Sequence, residues 1–132
     1  MGLKRAATVT FHTLAATGAG TVNGTSFAVD NFNSGIILVY ISAIGGSPTM
    51  EAIIQASLDN ANWHFYGTVI DEITVDNLTE PTPNPDKGKI KTANTFEFFL
   101  PYVLANYMRV QLVIAGTGTP TFTGTVKGVF KG

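Results

Sequence analysis

Apolar and polar residues alternate along most of this chain with a period of two. Met50, Ala52, Ile54, Ala56 and Leu58 fall on one face, while Thr49, Glu51, Ile53, Gln55 and Ser57 fall on the other. This alternation is the signature of a strand with one buried side. Residues 36–44 are apolar at nearly every position, which predicts a strand covered on both faces. Gly45-Gly46-Ser47-Pro48 reads as a tight turn, so the two strands form a hairpin at the centre of the chain. Asp59-Asn60-Ala61-Asn62 turns the chain again, and Trp63 opens the next strand.

The same period recurs on either side. A strand over 6–15 sets Val9 and Phe11 against Thr8, Thr10 and His12, and a short one covers 25–29. Residues 63–70 are dense in aromatics, which predicts a core position for Trp63. In 93–100, Phe96, Phe98 and Leu100 share a face. In 106–115, Met108, Val110, Leu112 and Ile114 point inward, and Tyr107, Arg109 and Gln111 outward. Gly116-Thr117-Gly118 reads as a turn, and 119–130 is the last strand, with Phe122, Val126 and Phe130 in phase. No stretch has helical periodicity. The expected fold is all-β, an antiparallel sandwich of about eight strands with jelly-roll or Greek-key-like connections, in a single domain over 1–132.

One segment departs from the pattern. Residues 71–91, DEITVDNLTEPTPNPDKGKIK, hold Pro81, Pro83 and Pro85 and five of the nine acidic residues. Alternate prolines favour an extended arm, and a connection of this length in a small domain tends to be functional or mobile. Ile73, Val75, Leu78 and Ile90 add apolar groups that an inert linker does not need. The arm is therefore expected to project and to grip a neighbouring subunit through Ile73, Val75, Leu78, Pro81, Pro83, Pro85 and Ile90.

Composition narrows the function. Hydrophobic residues make up 45% and charged residues 13% of 132, a low charge density that suits a surface hidden in an assembly. The 18 threonines favour strands. A net charge of −1 gives no pull towards nucleic acid or anionic membrane. The absence of cysteine removes disulfides and thiolate chemistry. The first residues lack the apolar run of a signal peptide, and no stretch suits a membrane span, so synthesis in a cytoplasm is expected.

Candidate chemistry is sparse. His12 and His64 lack metal-ligand spacing, and the serines lack a nucleophile elbow or an acid–histidine pairing. The acids Asp71, Glu72, Asp76, Glu80 and Asp86 do not follow a calcium-loop pattern. Lys87, Lys89 and Lys91 would share one face if extended, and they balance the acids nearby. Trp63 with Phe65, and His64 with Tyr66, alternate across a strand instead of forming one sugar-binding platform. The glycine pairs lack the lysine and helix of a phosphate loop. No catalytic, cofactor or metal residues are assigned, and a non-enzymatic role is expected.

The run Ser47-Pro48-Thr49-Met50-Glu51-Ala52-Ile53-Ile54-Gln55-Ala56-Ser57-Leu58-Asp59, closed by Trp63, resembles a pattern in small virion proteins of tailed bacteriophages. So do the ending strand Met108-Arg109-Val110-Gln111-Leu112-Val113-Ile114 and the turn Gly118-Thr119-Pro120-Thr121-Phe122-Thr123, which has one residue fewer before its proline. The resemblance covers roughly 34–70 and 106–131, and omits the first thirty or so residues and the proline arm. It implies a β-sandwich virion structural protein, foremost a capsid decoration or cement protein that stabilises the head. The implied partners are the major capsid protein or other virion proteins and further copies of the chain, as a trimer. A head–tail connector or tail protein is the alternative within that class, and a carbohydrate-binding module or adhesin the alternative outside it.

Overall fold

The computed structural model describes residues 6–71 and 88–132. Over these the chain forms seven strands: β1 (Ala6–Thr17), β2 (Gly20–Asn23), β3 (Phe27–Ala28), β4 (Ser34–Ser57), β5 (His64–Val69), β6 (Thr95–Leu100) and β7 (Tyr107–Lys131). All pair antiparallel in one sheet. β7 bonds to β1, β2, β3 and β4, and β4 bonds in addition to β5 and β6.

The central hairpin expected at Gly45-Gly46-Ser47-Pro48 does not form. The chain passes through these residues without reversing, and β4 pairs with β7 from Ser34↔Lys131 to Ser57↔Tyr107. Gly116-Thr117-Gly118 likewise lies inside β7. What the glycines provide is a bend. Pairing shifts between Gly45 and Ser47, opposite residues 117–121 of β7. Gly46 and Gly116 take φ of 65° and 129°, and a Cβ on either would overlap backbone, Gly118 O and Ser47 O respectively. Such positions admit only glycine without strain.

This bend folds the sheet over into two leaves. The first leaf holds β1, 121–131 of β7, 34–45 of β4, and β6; the second holds β2, β3, 107–117 of β7, 47–57 of β4, and β5. Contacts across the interior show the leaves face to face. Phe130 lies 5.8 Å from Phe27, Tyr66 meets Phe98 edge-on at 6.4 Å, and Nε2 of His12 donates to the Val110 carbonyl at 2.6 Å. The all-β sandwich expected from the alternation is thus present, built from one folded sheet.

The expected phases of the later strands hold except at the end of β4, where the pairing shifts after Ile54, so that Ser57 is buried and Leu58, expected inside, is exposed. Met108, Val110, Leu112, Ile114, Phe122, Val126 and Phe130 of β7 are all buried, as are Met50, Ala52 and Ile54 of β4. Each large apolar side chain so buried contributes about 1.5–3 kcal/mol. Residues 36–44 are covered on one face only: Ile37, Val39 and Ile41 are buried, whereas Tyr40 and Ile44 are exposed. In β1 a bulge between Thr10 and His12 changes the phase, so Phe11 and His12 both enter the core instead of facing opposite ways. Trp63 is a further correction. It is half-buried just before β5, outside any strand, with its ring 4.3 Å from the Arg109 guanidinium.

Candidate functional site

Among the described residues no group of three or more histidines, cysteines or acids stands ready to hold a metal. His64 is exposed, while His12 is enclosed by the two leaves. Burial lowers the His12 pKa, and its bond to the Val110 carbonyl opposes that shift only in part. The neutral ring with its proton on Nε2 therefore joins the leaves, which is a structural task.

The most organised polar cluster lies at the end of the sandwich away from the bend. Ser57 Oγ donates to Asp59 Oδ1 at 3.0 Å and accepts from the amides of Asp59 and Asn60. Asp59 also accepts from the amides of Asn62 and Ala61 at 2.8 and 3.0 Å and from Asn62 Nδ2 at 2.7 Å. These donors, the Asn62 amide foremost, hold its carboxyl well below the usual carboxylate range. Beside the turn, Arg109 Nε donates to Gln55 Oε1 at 2.7 Å while its guanidinium lies over Trp63. Arg109, remote in the sequence, thus joins Gln55, Ser57, Asp59 and Trp63 at one end of β4 and β7. Here they stiffen a loop.

That loop and its neighbour present apolar side chains to solvent. Leu58, Phe65, Tyr102 and Leu104 are 70%, 71%, 68% and 80% exposed. Their backbone is nevertheless fixed. Asn106 Nδ2 donates to Leu58 O, the Asn106 amide to Ser57 O, Tyr66 OH to Tyr102 O, and the Val103 amide to Asn33 O. Exposed large apolar groups on tied loops mark a contact surface, since ordering them on binding costs little extra entropy. The sequence contains these residues but gives no sign of their exposure.

A second open surface is the outer face of the first leaf. Its rows, read across the strands, are Thr8–Val129–Ile36–Phe99, Thr10–Lys127–Leu38–Glu97 and Thr13–Thr125–Tyr40–Thr95. A third feature is a groove of about 540 Å³ at the bend, lined by Ile44, Pro48, Thr49, Lys89, Lys91 and Gly116. Lys89 lies 3.7 Å from Glu51 there.

Of the residues expected to form an assembly arm, Ile73, Val75, Leu78, Pro81, Pro83 and Pro85 lie outside the described residues. Ile90 is wholly buried, and its amide and carbonyl exchange hydrogen bonds with those of Met50. The Asp71 amide donates to Gly88 O at 2.9 Å, so the two ends of the segment are held together beside the groove.

No protein-family model matches the chain, and no curated protein sequence matches it. Solved structures do. The SPBc2 prophage-derived protein YomS aligns over 100% of this chain and 97% of its own, with 18% identity and a TM-score of 0.46. A chain of infectious bursal disease virus, Gx strain, aligns over 98% of this chain with 14% identity and a TM-score of 0.55. The alignment spans 32% of that viral chain, so this protein corresponds to a part of it. At 14% identity the likeness to the viral chain is one of fold.

Proposed function

We propose that this chain is a non-enzymatic structural protein of a tailed-bacteriophage virion, bound to the head as a decoration or cement protein. The observation that carries the reading is the loop end, where Leu58, Phe65, Tyr102 and Leu104 stand exposed on hydrogen-bonded backbone. The phage-like letters Gln55, Ser57, Asp59, Trp63 and Arg109 are what stiffen that end. The fold held in common with a viral chain is compatible with it. The partner is the major capsid protein, and the site of action is the virion. Burial of this apolar end on each of many symmetry-related copies stabilises the shell by adding weak contacts, without any single strong site.

The test is particle association. Particles banded on a density gradient should carry the protein, and gold-labelled antibody should decorate the head surface. Replacing Leu58 and Leu104 together with Asp should abolish banding while leaving the circular dichroism spectrum unchanged. Particles without the protein, or a double variant that bands like the parent, would overturn the proposal. Label confined to the neck or tail would assign the chain to the connector or tail instead.

A further inference from the structure

The outer face of the first leaf has a symmetry of its own. β4 runs down its middle, carrying Ile36, Leu38 and Tyr40 outward, with β7 on one side and β6 on the other. Across Leu38 the row reads Lys127, Leu38, Glu97, which places opposite charges at about equal distances from the midline, ~4.8 Å per strand. Lys127 and Glu97 are both exposed, and neither makes an ion pair among the described residues. In the neighbouring rows Phe99 balances Val129, and Thr95 balances Thr125. Tyr40 is 51% and Phe99 69% exposed.

We infer that this face is an interface with a second copy of the chain, arranged face to face about a two-fold axis that runs along β4. Such an axis exchanges the two flanks. Lys127 of each copy then faces Glu97 of the other, Phe99 faces Val129, and Thr95 faces Thr125, while Ile36, Leu38 and Tyr40 meet along the axis. A two-fold across the strands would instead set Lys127 against Lys127 and Glu97 against Glu97, which like-charge repulsion disfavours. The aligned packing angle of stacked sheets, ~30°, is small enough to keep these central pairs within reach of long side chains. Isologous contacts of this kind close on themselves and leave no open edge.

The extent of the face sets the strength. The axis matches three strands, β7, β4 and β6, which at ~4.8 Å and about seven residues at ~3.4 Å give a footprint of about 340 Å² per copy. About 700 Å² for the pair lies at the small end of reversible interfaces, so dimerisation is expected at about 100 μM and above. The inference does not depend on the virion reading, because it concerns the isolated protein.

Sedimentation equilibrium of the full chain tests it. The parent should fit a monomer–dimer equilibrium. Lys127→Glu alone, or Glu97→Lys alone, places like charges opposite each other twice and should raise the dissociation constant about tenfold or more. The double variant Lys127→Glu/Glu97→Lys restores both pairs and should bring it back to within about threefold of the parent. Circular dichroism and melting temperature report whether each variant is folded, and the double variant keeps the parent's overall charge. A parent that stays monomeric at millimolar concentration overturns the inference. So does a trimer, or a double variant that dimerises no better than the singles.

Discussion

Gly116 and Gly118 stand two residues apart in the bend of β7, and both have positive φ, yet they should respond very differently to one added methyl group. At Gly118, φ is 68° and the nearest atom to a new Cβ, Gly46 Cα, is 3.7 Å away. Gly118→Ala then costs only the left-handed backbone penalty, about 1–2 kcal/mol. At Gly116, φ is 129°, outside the left-handed well, and the new Cβ runs into Ser47 O with Pro48 Cα at 2.9 Å. Neither neighbour can rotate away, because both are backbone of the paired strand. Strain of about 1–3 kcal/mol adds to a similar cost for pushing β4 and β7 apart, so Gly116→Ala should lose about 3 kcal/mol or more. With a urea slope of about 1.5 kcal/mol/M, the midpoint should fall by about 1 M for Gly118→Ala and by about 2 M or more for Gly116→Ala. Urea titrations followed by near-ultraviolet circular dichroism measure both. Equal midpoints in the two variants would refute the claim that the bend is a backbone-to-backbone crossing.

Three other outcomes follow from the core and its rim. Phe130, fully buried against Phe11, Phe27 and Phe32, should cost about 3–5 kcal/mol as Phe130→Ala, whereas exposed Phe99→Ala should leave monomer stability within about 0.5 kcal/mol. Because burial lowers the His12 pKa below its ordinary 6.5, the unfolded chain binds the proton first. Stability should therefore decline as pH falls below about 6.5, and His12→Gln should flatten that slope in chemical denaturation at several pH values. Trp63, covered on one side by Arg109, should emit between buried and fully exposed indole; Arg109→Ala should shift the emission to the red and raise acrylamide quenching. A blue-shifted, unquenched emission in the parent would contradict this placement.

The inward phases of β6, β7 and the second half of β4 are legible in the sequence, because period-two alternation reports directly which side chains avoid water. What alternation cannot say is whether a break reverses the chain or merely bends it. Gly45-Gly46-Ser47-Pro48 and Gly116-Thr117-Gly118 carry every local mark of a hairpin turn. They become bends because each lies opposite the other, so that the long β4–β7 ladder continues past both. That partnership joins residues about seventy apart and leaves no local trace. The bulge that buries Phe11 with His12 is hidden for the same reason, since it depends on Val126 across the sheet. The letters Gln55, Ser57, Asp59, Trp63 and Arg109 stand out in the sequence, yet only the fold shows them gathered into one brace. Leu58 falls in phase with Met50, Ala52 and Ile54 in the sequence yet is exposed, because the pairing shifts after Ile54 and β4 ends at Ser57. Tyr102 and Leu104 have no pattern at all, because a contact surface on loops is a matter of placement.

β7 is a central strand of both leaves, and it is the last of the seven strands to be made. Until residues 107–131 leave the ribosome, β1, β2 and β3 have no partner, and the two halves of β4 lack the strand they follow from end to end. No subset of the earlier residues can close a layer by itself. Folding should therefore begin only once residues 107–131 are available and should be slow for a domain of this size, since almost every pairing spans a long stretch of sequence. During that interval the apolar stretch at 36–44 is open to water, and chaperone binding to nascent chains should be strongest there.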